Sequence, residues 1–268
     1  MPPWIAALLV VVATYGFLLV FAWRHGDEIL FQPREASYGP GEPVELITGK
    51  DGQRLATVFL EAPKARLTIL YLHGNACDIG DVMWLLEDMQ SAGYNVAAVD
   101  YRGYGLSPGV PSEAGVYADA EAALRHLVDV RGLAPEQIVL YGHSMGSGPG
   151  VELALRHPVA GLVLEGAFVS AYRVVTRVPL LPGDRFVNIR KIGRVRCPVL
   201  VMHGRRDQTV SFWHGEALFR AASEPKMAFW VDEAGHNDLA EVAGEAYWEK
   251  LAAFSTLVLE GRRRPERP

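Results

Sequence analysis

A serine held between two glycines at the end of an apolar run constrains this chain more than any other feature. Gln137-Ile138-Val139-Leu140-Tyr141 reads as a buried strand, and Gly142-His143-Ser144-Met145-Gly146 follows at once, ahead of a stretch patterned as a helix. The pentapeptide fits G-x-S-x-G, in which a sharp strand-to-helix turn pushes a serine hydroxyl out above a sheet. Side chains at the flanking positions would collide with the neighbouring strand or the helix start, so both positions call for glycine. Met145, directly after the serine, would carry a backbone N–H with no partner inside the helix. Such a donor suits negative charge developing on a substrate oxygen.

A turn of this kind needs a sheet around it, and the remaining sequence supplies one. Val44 to Thr48 and Arg54 to Glu61 read as an antiparallel pair at a sheet edge, around the turn Gly49-Lys50-Asp51-Gly52. From residue 67 strands and helices alternate. Apolar runs at 67–72, 95–99, 137–141, 159–164, 198–203 and 227–231 are separated by helical patterns at 78–92, 112–131, 144–156 and 213–221, and a closing helix spans 239–259. Alternation of this kind predicts an α/β fold with a mainly parallel central sheet and helices on both faces. Right-handed crossovers then bring every strand C-terminus to one edge, where open α/β sheets build their sites. A chain of 268 residues is long enough for one such domain with a full core.

Trp4 to Ala22 is nineteen residues without a charge. As a helix it reaches roughly 28 Å, enough to cross a bilayer core. Trp4 and Trp23 stand at its ends, where aromatic rings favour the headgroup region. A secretory signal peptide is the rival reading. It fits less well, because no Lys or Arg precedes the run and no small-x-small cleavage site follows it. The expectation is a single-pass membrane protein attached through residues 4–23. The basic flank, Arg24 and then Arg34, favours a main domain on the cytoplasmic side. The expected organisation is an anchor at 1–25, a linker at 26–43, a catalytic domain at 44–260 with a lid-like insertion at 168–194, and a basic disordered tail at 261–268. The net charge of −5 gives no reason to expect nucleic-acid binding. Cys77 and Cys197 have neither metal-ligand nor disulfide-framework spacing, although Cys77 lies near the expected site and is a candidate reactive thiol.

A serine hydroxyl becomes a nucleophile only with a base in reach and a group that orients the base. His236 follows the last strand and a glycine, and Asp207 follows the strand before it. The order Ser144, Asp207, His236 is the serine–acid–histidine order of this architecture. Asp232 is a less well placed rival for the acid. The N–H groups of Asn75 and Met145 are the expected oxyanion donors. His73 and His143 read as packing or supporting residues, Ser147 as a support, and Asp100 as a buttress of neighbouring loops. No dinucleotide fingerprint opens a helix, and no metal or organic cofactor is expected.

With these residues in place the chain resembles the α/β-hydrolase superfamily. Within it, the chain is similar to the membrane-anchored α/β-hydrolase-domain serine hydrolases, which include bud-emergence-type proteins and acyl-protein depalmitoylases. The matching pieces are the N-terminal anchor, Phe31-Gln32-Pro33, Leu72-His73-Gly74-Asn75-Ala76, Asp100-Tyr101-Arg102-Gly103-Tyr104-Gly105-Leu106-Ser107, the serine turn, Asp207 and Gly235-His236-Asn237. The resemblance spans about residues 25–259. It implies a cofactor-free serine hydrolase acting on ester, lipid or thioester substrates. Arg205-Arg206 before Asp207 departs from the pattern and puts two positive charges near the rim. A peptidase using the same triad, and a non-catalytic membrane-tethered scaffold, are the competing readings.

Overall fold

In the computed structural model, residues 1–39, 43–179 and 182–261 are described. The basic tail expected from 261 lies outside them, apart from Gly261, and so do Leu180 and Leu181 of the expected lid. The first element, α1 (Pro3–Leu30), is one unbroken helix. Its segment Pro3–Ala22 is long and apolar enough to cross a membrane, and only 6% of it is buried against the protein. The expected break at residue 26 does not occur. Nothing between Gly26 and Leu30 forbids helix, and the stop comes at Phe31, where the chain turns extended ahead of Pro33. The first five residues of the expected linker are therefore helical.

Among the described residues eight strands follow: β1 (Val44–Thr48), β2 (Arg54–Leu60), β3 (Thr68–Leu72), β4 (Asn95–Val99), β5 (Ile138–His143), β6 (Gly161–Glu165), β7 (Val199–Gly204) and β8 (Lys226–Val231). They form one sheet in the order β1-β2-β4-β3-β5-β6-β7-β8. Only β2 runs antiparallel to its neighbours, and every pair from β4 to β8 is parallel. Both faces are covered, which explains why the central strands are continuous apolar runs. Alternate residues enter different cores. Leu70, Leu72, Ile138 and Leu140 pack with the layer of α3 (Glu113–Arg125), α4 (Ser147–Arg156) and α6 (Trp213–Ala221). Ile69, Tyr71, Val139 and Tyr141 pack with α2 (Ile79–Ser91) and α8 (Glu245–Gly261) on the opposite face.

Local chemistry sets the helix ends. Asp78 caps α2 through a reciprocal pair, its side chain accepting from the Asp81 N–H while the Asp81 side chain accepts from its own. Ser112 caps α3 by accepting from the Gly115 N–H. The closing helix, expected as one piece, is two. Gly244 at φ +54° ends α7 (Leu239–Ala243), and α8 begins directly after it. The excursion at 168–194 also differs from a free lid. Among its described residues it contains only the single-turn α5 (Arg173–Thr176) and two tight turns. Phe186, Asn188 and Ile192 are fully buried in its second half, so that half belongs to the core.

Candidate active site

Ser144 stands at φ +51°, in the left-handed region that side chains avoid, between β5 and a tight turn leading into α4. The two glycines are sterically required. A Cβ on Gly142 would lie 2.6 Å from the Gly146 carbonyl oxygen, and one on Gly146 would lie 1.9 Å from the Leu72 carbonyl oxygen.

Asp207 follows β7 and His236 follows β8, so the sheet edge brings both to Ser144. His236 Nε2 lies 2.9 Å from Ser144 Oγ, and His236 Nδ1 lies 2.7 Å from Asp207 Oδ2. Asp207 accepts only, so the proton sits on Nδ1 and Nε2 is left with a lone pair facing the serine. The carboxylate is held rigidly. Its Oδ1 accepts from the Thr209 and Val210 amides at 2.9 and 2.7 Å. Burial disfavours its charge, but hydrogen bonding from His203 and His236 and from the Val210 amide holds the Asp207 carboxyl well below the usual range.

The contribution of His203 is not evident from the sequence, where it shows no metal spacing and little else. It lies four residues before Asp207, on β7. Its Nε2 donates to the Val210 carbonyl at 2.7 Å and lies 3.2 Å from Asp207 Oδ2. The rival acid, Asp232, is 81% exposed and pairs with Arg205. Arg206 pairs with Glu233. Both rim arginines are therefore neutralised, and the expected positive rim does not arise.

Asn75 and Met145 flank Ser144 around the same space. Among the described residues, neither amide donates to a backbone carbonyl in a turn or loop. The Asn75 side chain makes three hydrogen bonds: Oδ1 accepts from the Gln32 N–H at 2.9 Å and the Tyr104 hydroxyl at 2.6 Å, while Nδ2 donates to the Leu30 carbonyl at 2.7 Å. Replacing it with alanine keeps the backbone donor but frees the loop that aims it. Asn75→Ala is expected to lower kcat by roughly 10- to 100-fold, short of the full loss of a donor, as steady-state ester hydrolysis would measure.

The supporting residues sort by contact. His143, half-buried and with its basicity depressed to about 4 by loss of solvation, approaches the His236 carbonyl at 3.2 Å. Ser147 accepts from Asn188 Nδ2 at 3.1 Å inside the core, which suits support. Asp100 accepts from the Ile79 amide at 2.9 Å and from the Tyr38 hydroxyl, tying three loops together. Burial pushes the Cys77 thiol up to about 12, so it is not a reactive thiolate at neutral pH.

Glu165, at the end of β6, was not singled out in the sequence. A charged residue closing a buried strand at the site edge was the available clue. Tyr141 donates to its carboxyl, and the Tyr141 and Tyr247 hydroxyl oxygens are 2.7 Å apart. Burial raises the Glu165 carboxyl to about 7. A folded-state value above the unfolded one means that the native state holds the proton longer. The resulting stability is full below about pH 4.5 and is lost as pH climbs through 7. Glu165→Gln is expected to remove this loss, which is on the order of 2–3 kcal/mol. Melting of the full chain in detergent at pH 5 and pH 8 would measure it, and parallel pH profiles for wild type and variant would refute the assignment.

Two cavities meet at Ser144. One, of about 640 Å³, has a mixed lining, with Arg34, Asp81, Glu165, His236 and Glu241 beside Val82, Trp84, Leu85 and Ala240. The other, of about 460 Å³, is lined almost entirely by apolar side chains and by α1.

The chain is similar to several known proteins. A protein-family model described as "Serine aminopeptidase, S33" matches residues 63–183. The α/β-hydrolase domain-containing protein 17B of Homo sapiens is 39% identical over 207 residues, covering 76% of this chain and 71% of the relative. Protein 17C of Bos taurus is 37% identical over 250 residues, covering 83% and 75%. Among solved structures, an esterase of Pyrococcus furiosus superposes with a TM-score of 0.70 at 19% identity, covering 85% of this chain and 97% of that one. The esterase domain of a Rhodothermus marinus protein gives a TM-score of 0.60 at 21% identity, covering 82% and 97%. These likenesses establish the fold.

Proposed function

The chain belongs to the family of the α/β-hydrolase domain-containing proteins 17 and is a serine hydrolase; from that premise we propose that Ser144, His236 and Asp207 are its catalytic triad and that its substrates are carboxylic esters or thioesters. The observation that carries the reading is the continuous line from Ser144 Oγ to His236 to Asp207, at 2.9 and 2.7 Å, at the mouth of an apolar cavity.

In the proposed reaction Ser144 Oγ attacks the acyl carbon while its proton passes to His236 Nε2. The tetrahedral oxyanion is received by the Asn75 and Met145 amides. The bond from carbon to the leaving oxygen or sulfur breaks, and the leaving group takes the proton from His236. Water, deprotonated by His236, then attacks the acyl-Ser144 ester. The acid leaves and the serine regains its proton. Asp207, held ionised, stabilises the imidazolium in both halves. The acyl group suits the apolar cavity, and the charged groups of the mixed cavity suit a leaving group with polar parts. We place the domain on the cytoplasmic side of a membrane crossed by α1, on the strength of the Arg24 and Arg34 flank.

The family-model description favours a second reading, cleavage of peptide bonds, because the same triad can attack amides. Steady-state assays of the full chain on acyl esters, acyl thioesters and aminoacyl amides separate the two. Ester or thioester turnover far above amide turnover is expected. The reverse order would establish the peptidase. Absence of all turnover and of fluorophosphonate labelling would leave the membrane-tethered scaffold.

A further inference from the structure

The wall of the apolar cavity comes from an unexpected element. Leu18, Phe21, Ala22, Gly26, Ile29 and Leu30 line it from one side, and Phe168, Tyr172, Val175 and Val210 from the other. The six helix positions recur at three- and four-residue spacing, so they form one face of α1. That face starts inside the apolar membrane-length segment, at Leu18, and ends at Leu30, beside Asn75. We infer that the second half of α1 is part of the acyl-binding site, and that a fatty acyl chain lies along it from Ser144 toward the bilayer. This inference rests on the serine-hydrolase reading of Ser144 and assigns to α1 the residues that select acyl length.

Specific contacts hold α1 over the site. Tyr172 Oη donates to the Ala22 carbonyl at 3.4 Å. A Cβ on Gly26 would lie 2.5 Å from that same hydroxyl, so glycine lets helix and excursion close together. Arg185 Nε donates to Asp27 Oδ1 at 2.9 Å. Asn75, beside the expected oxyanion site, donates to the Leu30 carbonyl. Three links thus fasten the helix end to the excursion and to the oxyanion loop.

The cavity's chemistry fits the occupant. Its lining is apolar except near Ser144, and its size falls within the usual range of small-molecule sites. Leu18, Phe21 and Val175 remain 44%, 43% and 87% exposed. They stand where the helix would leave a membrane, so a chain drawn from lipid would exchange one apolar surrounding for another. The anchor then acts as substrate guide as well as tether.

The test is acyl-length selectivity of the full chain in lipid nanodiscs, read as the ratio of kcat/KM for a hexadecanoyl ester to that for a butanoyl ester. Each methylene denied a buried place costs about fourfold. Ile29→Trp is expected to lower the ratio by at least tenfold. Leu18→Trp lies about 16 Å further along the helix, and it should penalise only the longest chains of a graded acyl series. Val20→Trp, pointing away from the cavity, should leave the ratio at the wild-type value. Fluorophosphonate labelling of Ser144 confirms that each variant is folded and carries an activated serine. If the variants label and their ratios stay within twofold of wild type, the inference is overturned and the hydrolase reading stands. A wild-type chain that neither labels nor hydrolyses any ester overturns both.

Discussion

Replacing Ser144 with alanine is expected to reduce ester or thioester turnover by a factor on the order of 10⁵–10⁶, and to abolish covalent fluorophosphonate labelling. The size follows from the way the three side chains act as a unit. Without Oγ, His236 has no proton to accept and Asp207 holds a base with nothing to activate. The backbone amides remain and can still polarise a carbonyl, which leaves a small residual rate above water. Stability should hardly change. The lost hydroxyl makes one hydrogen bond, to His236, worth about 1 kcal/mol, and the strained backbone at φ +51° is the same for alanine. Labelling that persists in a folded Ser144→Ala chain would move the nucleophile elsewhere.

Most of the sheet was legible because its physics is local. The run Leu67–Leu72 is apolar at every position but one, and only a strand covered on both faces needs that pattern. Strict β–α alternation then leaves few topologies, and the strand ends carrying Ser144, Asp207 and His236 fall on one edge. What could not be read depends on contacts between distant segments. The length of α1 was hidden because composition changes at Arg24 while the backbone does not. Its seat against Tyr172 and Arg185 joins positions about 150 residues apart. His203 gives no sign in the sequence that it faces the acid four residues later. The break at Gly244 was readable in principle, but an isolated glycine in a helical pattern is tolerated as often as it terminates. The charge of Arg205 and Arg206 misled for a similar reason, since their partners Asp232 and Glu233 come from the next strand's end.

The same sheet edge ties chemistry to packing, and Gly146 is where the two meet. Gly146→Ala is expected to destabilise the protein by about 3–5 kcal/mol and to remove activity. A Cβ there would lie 1.9 Å from the Leu72 carbonyl oxygen and 2.9 Å from that of His73. Both atoms are backbone at the end of β3, which pairs with β5 and cannot yield without disturbing the central register, where Leu72 faces Gly142. Overpacking normally costs about 1–3 kcal/mol because side chains can move aside; here none is available to move. At about 2–4 °C per kcal/mol for a domain of this size, the melting temperature should fall by roughly 10 °C. Gly150→Ala, on the same helix α4, isolates the effect. Its added Cβ would make an ordinary contact at 3.4 Å with Leu162 Cδ1, and alanine gains up to about 1 kcal/mol of helix propensity over glycine. That variant should melt at or slightly above the wild-type temperature with its activity retained. A Gly146→Ala chain melting within 2 °C of wild type would mean that the turn carrying Ser144 is looser than the contact with Leu72 requires.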